Sequence, residues 1–168
     1  MFRELYEQVA CAATEKAQIS AAIFFSLIQK ESGWNPKSSG SGSYGIAQIN
    51  PVSHPAVDVW NPVDSLFYAA QLLRNYLNIY ANKHNPYEYA LSAYNVGNTT
   101  VNNWKIIPQW ELDSYVNPIL LNSLNEASAC VTATPTPTLP PSITQHQETP
   151  QPELLLVFLL SALLRNFR

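Results

Sequence analysis

Charged side chains are scarce in this sequence. Asp, Glu, Lys and Arg together make up 12% of its 168 residues, about half the usual share. The balance is slightly acidic, with a formal net charge of −3. That argues against a nucleic-acid partner, which calls for a basic face. Cysteine is nearly absent: Cys11 and Cys130 stand alone, without the clustered spacing of a zinc site. His54, His84 and His146 are too scattered for a metal triad. No Ser-His-Asp or Cys-His arrangement and no phosphate-cradling loop stands out. Neither a metal nor a cofactor is therefore expected. Alternating strand patterns never exceed a few residues, and no internal repeat is visible. A secretory leader is missing from the first residues. Arg3, Glu4, Glu7 and Gln8 interrupt the apolar positions between Met1 and Ala10, where a signal peptide needs an unbroken apolar core.

What is present is apolar and aromatic, 46% and 11% of the residues, enough for a sizeable core. Three zones follow one another. Residues 1–130 read as one globular domain. Residues 131–152 form a Thr- and Pro-rich linker, as in Thr134-Pro135-Thr136-Pro137 and Pro140-Pro141; such a run is extended and semi-rigid. Residues 153–168 form an apolar tail ending in Arg165 and Arg168.

The first zone is mainly α. Leu5, Val9 and Ala12 suggest the inner face of a first amphipathic helix. Ser20 can cap a second helix from Ala21 to about Ser32, almost wholly apolar and so buried, with Gly33 as its stop. Asn61-Pro62 opens a third, with Leu66, Ala69, Ala70, Leu73, Leu77 and Tyr80 at helical spacing. Asn85-Pro86 repeats that start before Tyr89, Ala90 and Ala93. A last helix is expected near Asn117 to Ala127. Between the second and third helices runs a Gly- and Ser-rich loop, Ser38 to Ser43. The cysteines lie near the two ends of this zone, and both a bridge and two free buried thiols are open.

Glu31 occupies the last turn of the apolar second helix. Burial and the negative end of the helix dipole both disfavour its ionised form. A carboxylic acid kept protonated near neutral pH is what a glycosidic oxygen needs as a proton donor. Alone, a solvated surface carboxylate is the commoner situation. The company of Glu31 changes that. Glu31-Ser32-Gly33-Trp34-Asn35-Pro36, then Ser39, Gly42, Tyr44-Gly45-Ile46-Ala47-Gln48-Ile49-Asn50-Pro51, then Ala93-Tyr94-Asn95-Val96-Gly97, occur in order. From about Val9 to Leu124 the chain resembles the soluble lytic transglycosylases of the lysozyme-like superfamily.

The resemblance implies a lysozyme-like helical catalytic domain that cleaves the bond between N-acetylmuramic acid and N-acetylglucosamine in peptidoglycan. Glu31 matches the single acid/base. It would protonate the leaving oxygen, then take the proton of the muramyl 6-hydroxyl as that oxygen closes on C1 to give a 1,6-anhydro end. Ser32 matches the serine beside the acid. Gly45, Ile46 and Gln48 match a Gly-Leu-x-Gln segment lining the cleft, where Gln48 would bond an acetamido group or hold the acid. Tyr94 and Asn95 match a Tyr-Asn pair whose hydroxyl lies near the acid. The sequence departs from the family pattern in a loop one residue shorter before Gly42, in Ser43 for Ala, in Asn50 for Met and in Ala69 for Gly. The implied partner is the glycan strand of peptidoglycan, met by a monomer in the cell envelope or outside the cell. Delivery would be by a virion, a secretion machine or lysis.

Other readings stand beside this one. A water in place of the 6-hydroxyl would make the same site a hydrolytic muramidase, and a cleft without turnover would be a wall-binding module. Asp58 and Asp64 are the nearest candidates for a second carboxylate, and Asp64 is better explained as a first-turn helix residue. Gly42 and Gly45 permit positive φ and close approach of backbone to a ligand. Trp34, Tyr44, Trp60, Trp104 and Trp110 can stack on sugar rings, although for any one Trp core packing is the commoner role. Gln48 and Asn95 also suit turns or caps, and His54, before Pro55, suits a surface turn or a place in the cleft loop. The stretch Leu154 to Leu164 would span about 16 Å as a helix, short of the roughly 30 Å hydrocarbon core, so it suits an interfacial or partner contact. Deleting residues 131–168 is expected to leave a soluble, cooperatively folding domain, checked by thermal denaturation. Loss of folding would make the tail part of the core.

Overall fold

The first helix is already different from its sequence pattern. In the computed structural model, which describes residues 2–126 and Cys130, α1 spans Phe2–Ala17. Its buried positions are Ala10, Ala13, Thr14 and Ala17, while Leu5 is 67% exposed and Ala12 faces water. The expected Leu5-Val9-Ala12 face is therefore corrected by about one residue step around the helix. Small side chains let α1 lie close against α3 (Pro62–Ile79), and a pattern weighted by side-chain size misses such a face. Arg74 Nε closes the contact by donating to the Ala17 carbonyl at 2.7 Å.

Helix α2 (Ala21–Ser32) runs through the core with Phe24, Phe25, Leu27 and Ile28 fully buried. Its start is set by Ser20, whose hydroxyl accepts from the Ile23 amide, a cap worth about 1 kcal/mol. It ends where Gly33, in the left-handed conformation, returns its amide to Gln29. Helix α3 begins at Pro62 with the Asn61 side chain accepting from the amides of Val63 and Asp64. Leu66, Ala69, Ala70, Leu73, Leu77 and Tyr80 are all buried, as their spacing predicts. Helix α4 (Pro86–Val96) packs on α3 and leads through Gly97 into a short α5 (Asn98–Asn102).

The C-terminal helical stretch starts earlier than its sequence pattern suggests. A turn, α6 (Gln109–Glu111), runs into a π-helical turn over Leu112–Val116, then α7 (Asn117–Ser123) and a 3-10 turn over Leu124–Glu126. The π turn sits directly before Pro118, whose ring would meet the Ser114 carbonyl in a regular α-helix. Both α7 and the 3-10 turn pack on α2.

Between α2 and α3 the chain makes a miniature hairpin, β1 (Ser39–Gly40) against antiparallel β2 (Ser43–Tyr44). Its two-residue turn, Ser41-Gly42, has positive φ at both positions, 48° and 86°, as a type I′ turn demands. The loop is then pulled onto the core at Gly45. This residue has φ 75°, and a Cβ there would stand 1.8 Å from the Val59 carbonyl oxygen, so no side chain fits.

Two links hold the beginning of the domain to its end. Arg3 donates to both carboxylate oxygens of Glu126 and reaches Glu7, while its guanidinium lies 5.4 Å from the Phe25 ring centre and 5.8 Å from that of Trp34. Of the two possibilities for the cysteines, the bridge is the one formed: Cys11 and Cys130 are disulfide-bonded across a sequence separation of 119. The expected linker and tail, 131–152 and 153–168, lie outside the described residues. Loop closure of that length is worth about 3–5 kcal/mol, so Cys11→Ser is expected to lower the midpoint of thermal unfolding by roughly 10 °C. An unchanged melting curve, followed by circular dichroism, would show that the bridge adds nothing.

Candidate active site

Glu31 stands where α2 stops, with its carboxyl group largely buried. Desolvation raises its pKa from the ordinary range, a hydrogen bond from Tyr115 and the charge of Lys30 pull it back, and the balance is about 7. The carboxyl therefore exchanges its proton near neutral pH, where an acid/base group is most useful. The Tyr115 hydroxyl donates to Glu31 Oε1. Burial and the neighbouring Glu31 hold that phenol well above its usual pKa, so it stays protonated and a donor.

A cavity of about 380 Å³ opens on Glu31, bordered by Gly40, Ser41, Ser43, Gln48, Tyr94 and Asn95. A second, of about 530 Å³, shares Ser41, Ser43, Gln48, Tyr94 and Asn95 and extends past His54 and Tyr76 to Asn98 and Thr99. Together they form a groove between the hairpin and the α4–α5 corner. Among the described residues, Glu31 is the only carboxylate that lines it.

The expected site residues divide into two groups. Gln48, Tyr94 and Asn95 line the groove with Glu31. Gln48 Nε2 donates to the Gly45 carbonyl at 2.9 Å rather than to the acid, and its backbone holds φ 48°, a conformation costly for a residue with a side chain. The Tyr94 hydroxyl donates to the Ala47 carbonyl at 2.7 Å. It is near enough to Glu31 for that charge, after burial, to raise its pKa. The other three, Ser32, Gly45 and Ile46, are not among the residues that line the groove. The Ser32 hydroxyl donates to the Ile46 carbonyl at 2.6 Å and so ties α2 to the loop. Ile46 is completely buried, because its side chain is apolar and the loop closes over the core there. The close approach allowed by Gly45 is to Val59, not to a ligand.

Two residues escaped the sequence reading. Tyr115, 84 positions from Glu31, is the tyrosine that touches the acid. Glu111 has no exposed surface, and both its carboxylate oxygens accept from Asn95 Nδ2, at 3.1 and 3.0 Å. Burial raises its pKa, and Asn95 pulls it back. No local signal points to them, because the flanking Pro108 and Pro118 and the π turn over Leu112–Val116 interrupt the helical period here.

The remaining candidates are plainly placed. Trp34 is buried against Phe25, at 5.1 Å between ring centres. Trp60 and Trp110 are 52% and 58% exposed, so core packing does not explain them. Trp60 lies against Tyr44, and Trp104 against Trp110. His54 is not a free surface turn: its Nδ1 shares a hydrogen bond with the Tyr68 hydroxyl at 2.9 Å, and burial lowers its pKa. Asp58 accepts from the Trp60 amide and, with first-turn Asp64, borders a different cavity beside Lys16 and Phe67. Among the described residues no group of three His, Cys, Asp or Glu side chains could hold a metal ion, and no helix is long and apolar enough to cross a membrane.

The transglycosylase SLT domain family matches the chain over residues 8–117, which contains the whole groove and ends just past Tyr115. The chain belongs to this family. The SLT domain is a lysozyme-like, lytic-transglycosylase-type domain that acts on the peptidoglycan of the cell wall. No solved structure matches the chain.

The raised pKa has a consequence for stability. A carboxyl with its folded pKa near 7 binds its proton more tightly folded than unfolded, so its contribution is complete below pH 4.5 and lost as pH rises to about 7. Glu31→Gln is therefore expected to unfold at the wild-type temperature at pH 4 and several degrees higher at pH 8. Equal midpoints at both pH values would mean that Glu31 is not desolvated.

Proposed function

We propose that this SLT domain is a peptidoglycan lytic transglycosylase with Glu31 as its one acid/base. The observation that carries the reading is a buried carboxyl poised near pH 7 at the wall of a groove with no second carboxylate lining it. In the first step Glu31 gives its proton to the glycosidic oxygen and the C1–O bond breaks. The muramyl 6-hydroxyl oxygen then bonds to C1, and its proton passes to Glu31. The acid is regenerated, and the ends released are a 1,6-anhydromuramyl residue and a free 4-hydroxyl on the next sugar. Glycosidases that use water through a pair of carboxylates need the second one facing the sugar. Glu111, whose carboxylate is held by Asn95, is fully buried and is not among the residues that line the groove.

Tyr115 steadies the ionised form between the two proton transfers, and its bond keeps the carboxyl in one orientation. Gln48, Tyr94 and Asn95 supply the polar wall that meets the acetamido and hydroxyl groups of the strand. Ser32, Gly45 and Ile46 act as positioning residues that fix the loop on which Gln48 stands. The disulfide fits work outside a reducing cytosol, in the envelope where peptidoglycan lies.

Mass spectrometry of muropeptides released from purified peptidoglycan tests this reading. The wild type is expected to release products lighter by one water than those of a hydrolase, and Glu31→Gln to release none. Reducing ends would make the domain a hydrolytic muramidase. No products from the wild type would leave a wall-binding module.

A further inference from the structure

A pair of tryptophans, Trp104 and Trp110, is not among the groove's lining residues and has no part in the chemistry above. Trp110 keeps 58% of its surface in water, and Ile106, four residues earlier in the chain, 79%. The Trp110 ring is not loose: it meets Trp104 edge to face, with centres 5.9 Å apart and planes at 86°. Trp104 is itself partly buried against the core. Each ring is tied by its chain to the groove wall. Trp110 precedes Glu111, whose carboxylate is held by the groove residue Asn95. Trp104 follows α5, whose first residues, Asn98 and Thr99, line the groove.

Exposed, pre-oriented tryptophan at this point costs solubility unless something covers it. The surroundings indicate what. Gln109 donates to Asp113 at 2.9 Å, and both are exposed, as are Asn102 and Asn103. A pyranose presents an apolar C–H face and a rim of hydroxyls, which suits an indole face flanked by amides and a carboxylate. An anionic membrane calls instead for a cluster of basic residues, and between Asn98 and Asp113 Lys105 is the one basic residue.

We infer that Trp110, braced by Trp104, is an outlying glycan subsite that continues the groove and grips a sugar of the same strand beyond the units being cleaved. The inference rests on the reading of the groove as a peptidoglycan site. Its ligand class is an N-acetylated pyranose within a β-linked glycan strand, and its function is retention on the strand rather than bond cleavage.

The test uses full-length protein and purified, insoluble peptidoglycan as the probe. In the Glu31→Gln background, co-sedimentation gives a binding isotherm without turnover. Adding Trp110→Ala is expected to weaken binding about tenfold or more, and adding Trp110→Tyr instead to restore most of it. Thermal melts of all three show whether the fold is kept. Binding by Glu31→Gln/Trp110→Ala equal to that of Glu31→Gln overturns the inference, as does no binding by the Glu31→Gln parent. Loss of sedimentation with phosphatidylglycerol vesicles, while peptidoglycan binding persists, also overturns it and assigns the rings to a membrane. The two readings fail separately. A wild type that releases no muropeptides, with Trp110-dependent binding intact, removes the catalytic reading and keeps the subsite. Release of anhydro products with Trp110-independent binding does the reverse.

Discussion

Desolvation of one carboxyl group, that of Glu31, sets the demands that the residues around it meet. An ionised carboxylate taken out of water without partners costs several kcal/mol, and at the C-terminal end of α2 the helix dipole adds to the cost. The Tyr115 hydroxyl offsets part of it through a hydrogen bond, and Lys30 another part through charge. What is left over appears as the pKa near 7. The partner that brings this about comes from the far end of the domain, so the proton affinity of Glu31 depends on how α2 and the 109–126 helical stretch pack. Arg3 with Glu126 and Cys11 with Cys130 guard that same packing from outside. The remote ends of the sequence thus hold the acid in register, although none of these four residues approaches the groove.

The helices that carry strong punctuation could be read directly. Ser20, Gly33, Asn61-Pro62 and Asn85-Pro86 mark boundaries by capping and by the missing proline N–H, and the structure keeps all four. Faces were legible where large side chains alternate with polar ones, as along α3. They were not legible in α1, where alanine packs closely and Leu5 stays in water. The 109–126 stretch follows Pro108 and carries Pro118 and a π turn, which break the 3.6-residue period.

For the candidate site, local rules placed Glu31 because helix end and apolar surroundings are both visible in the chain. Tyr115 and Glu111 depend on contacts across 84 and 16 residues, which no local period encodes. The sequence motif also mixes two kinds of residue. Gln48 faces the groove, while Gly45 and Ile46, in the same short segment, face the core and hold it in place. Spacing alone does not separate the residue that makes contact from the residue that makes contact possible.

Apart from Glu31, the groove is lined by neutral groups: amides, hydroxyls, two phenols and His54, whose proton affinity is lowered by burial. Among the described residues, none that lines the groove carries a fixed positive charge to attract an acidic polymer. Encounter then owes little to ionic strength, and discrimination falls to short hydrogen bonds made after contact. That suits a substrate that does not diffuse.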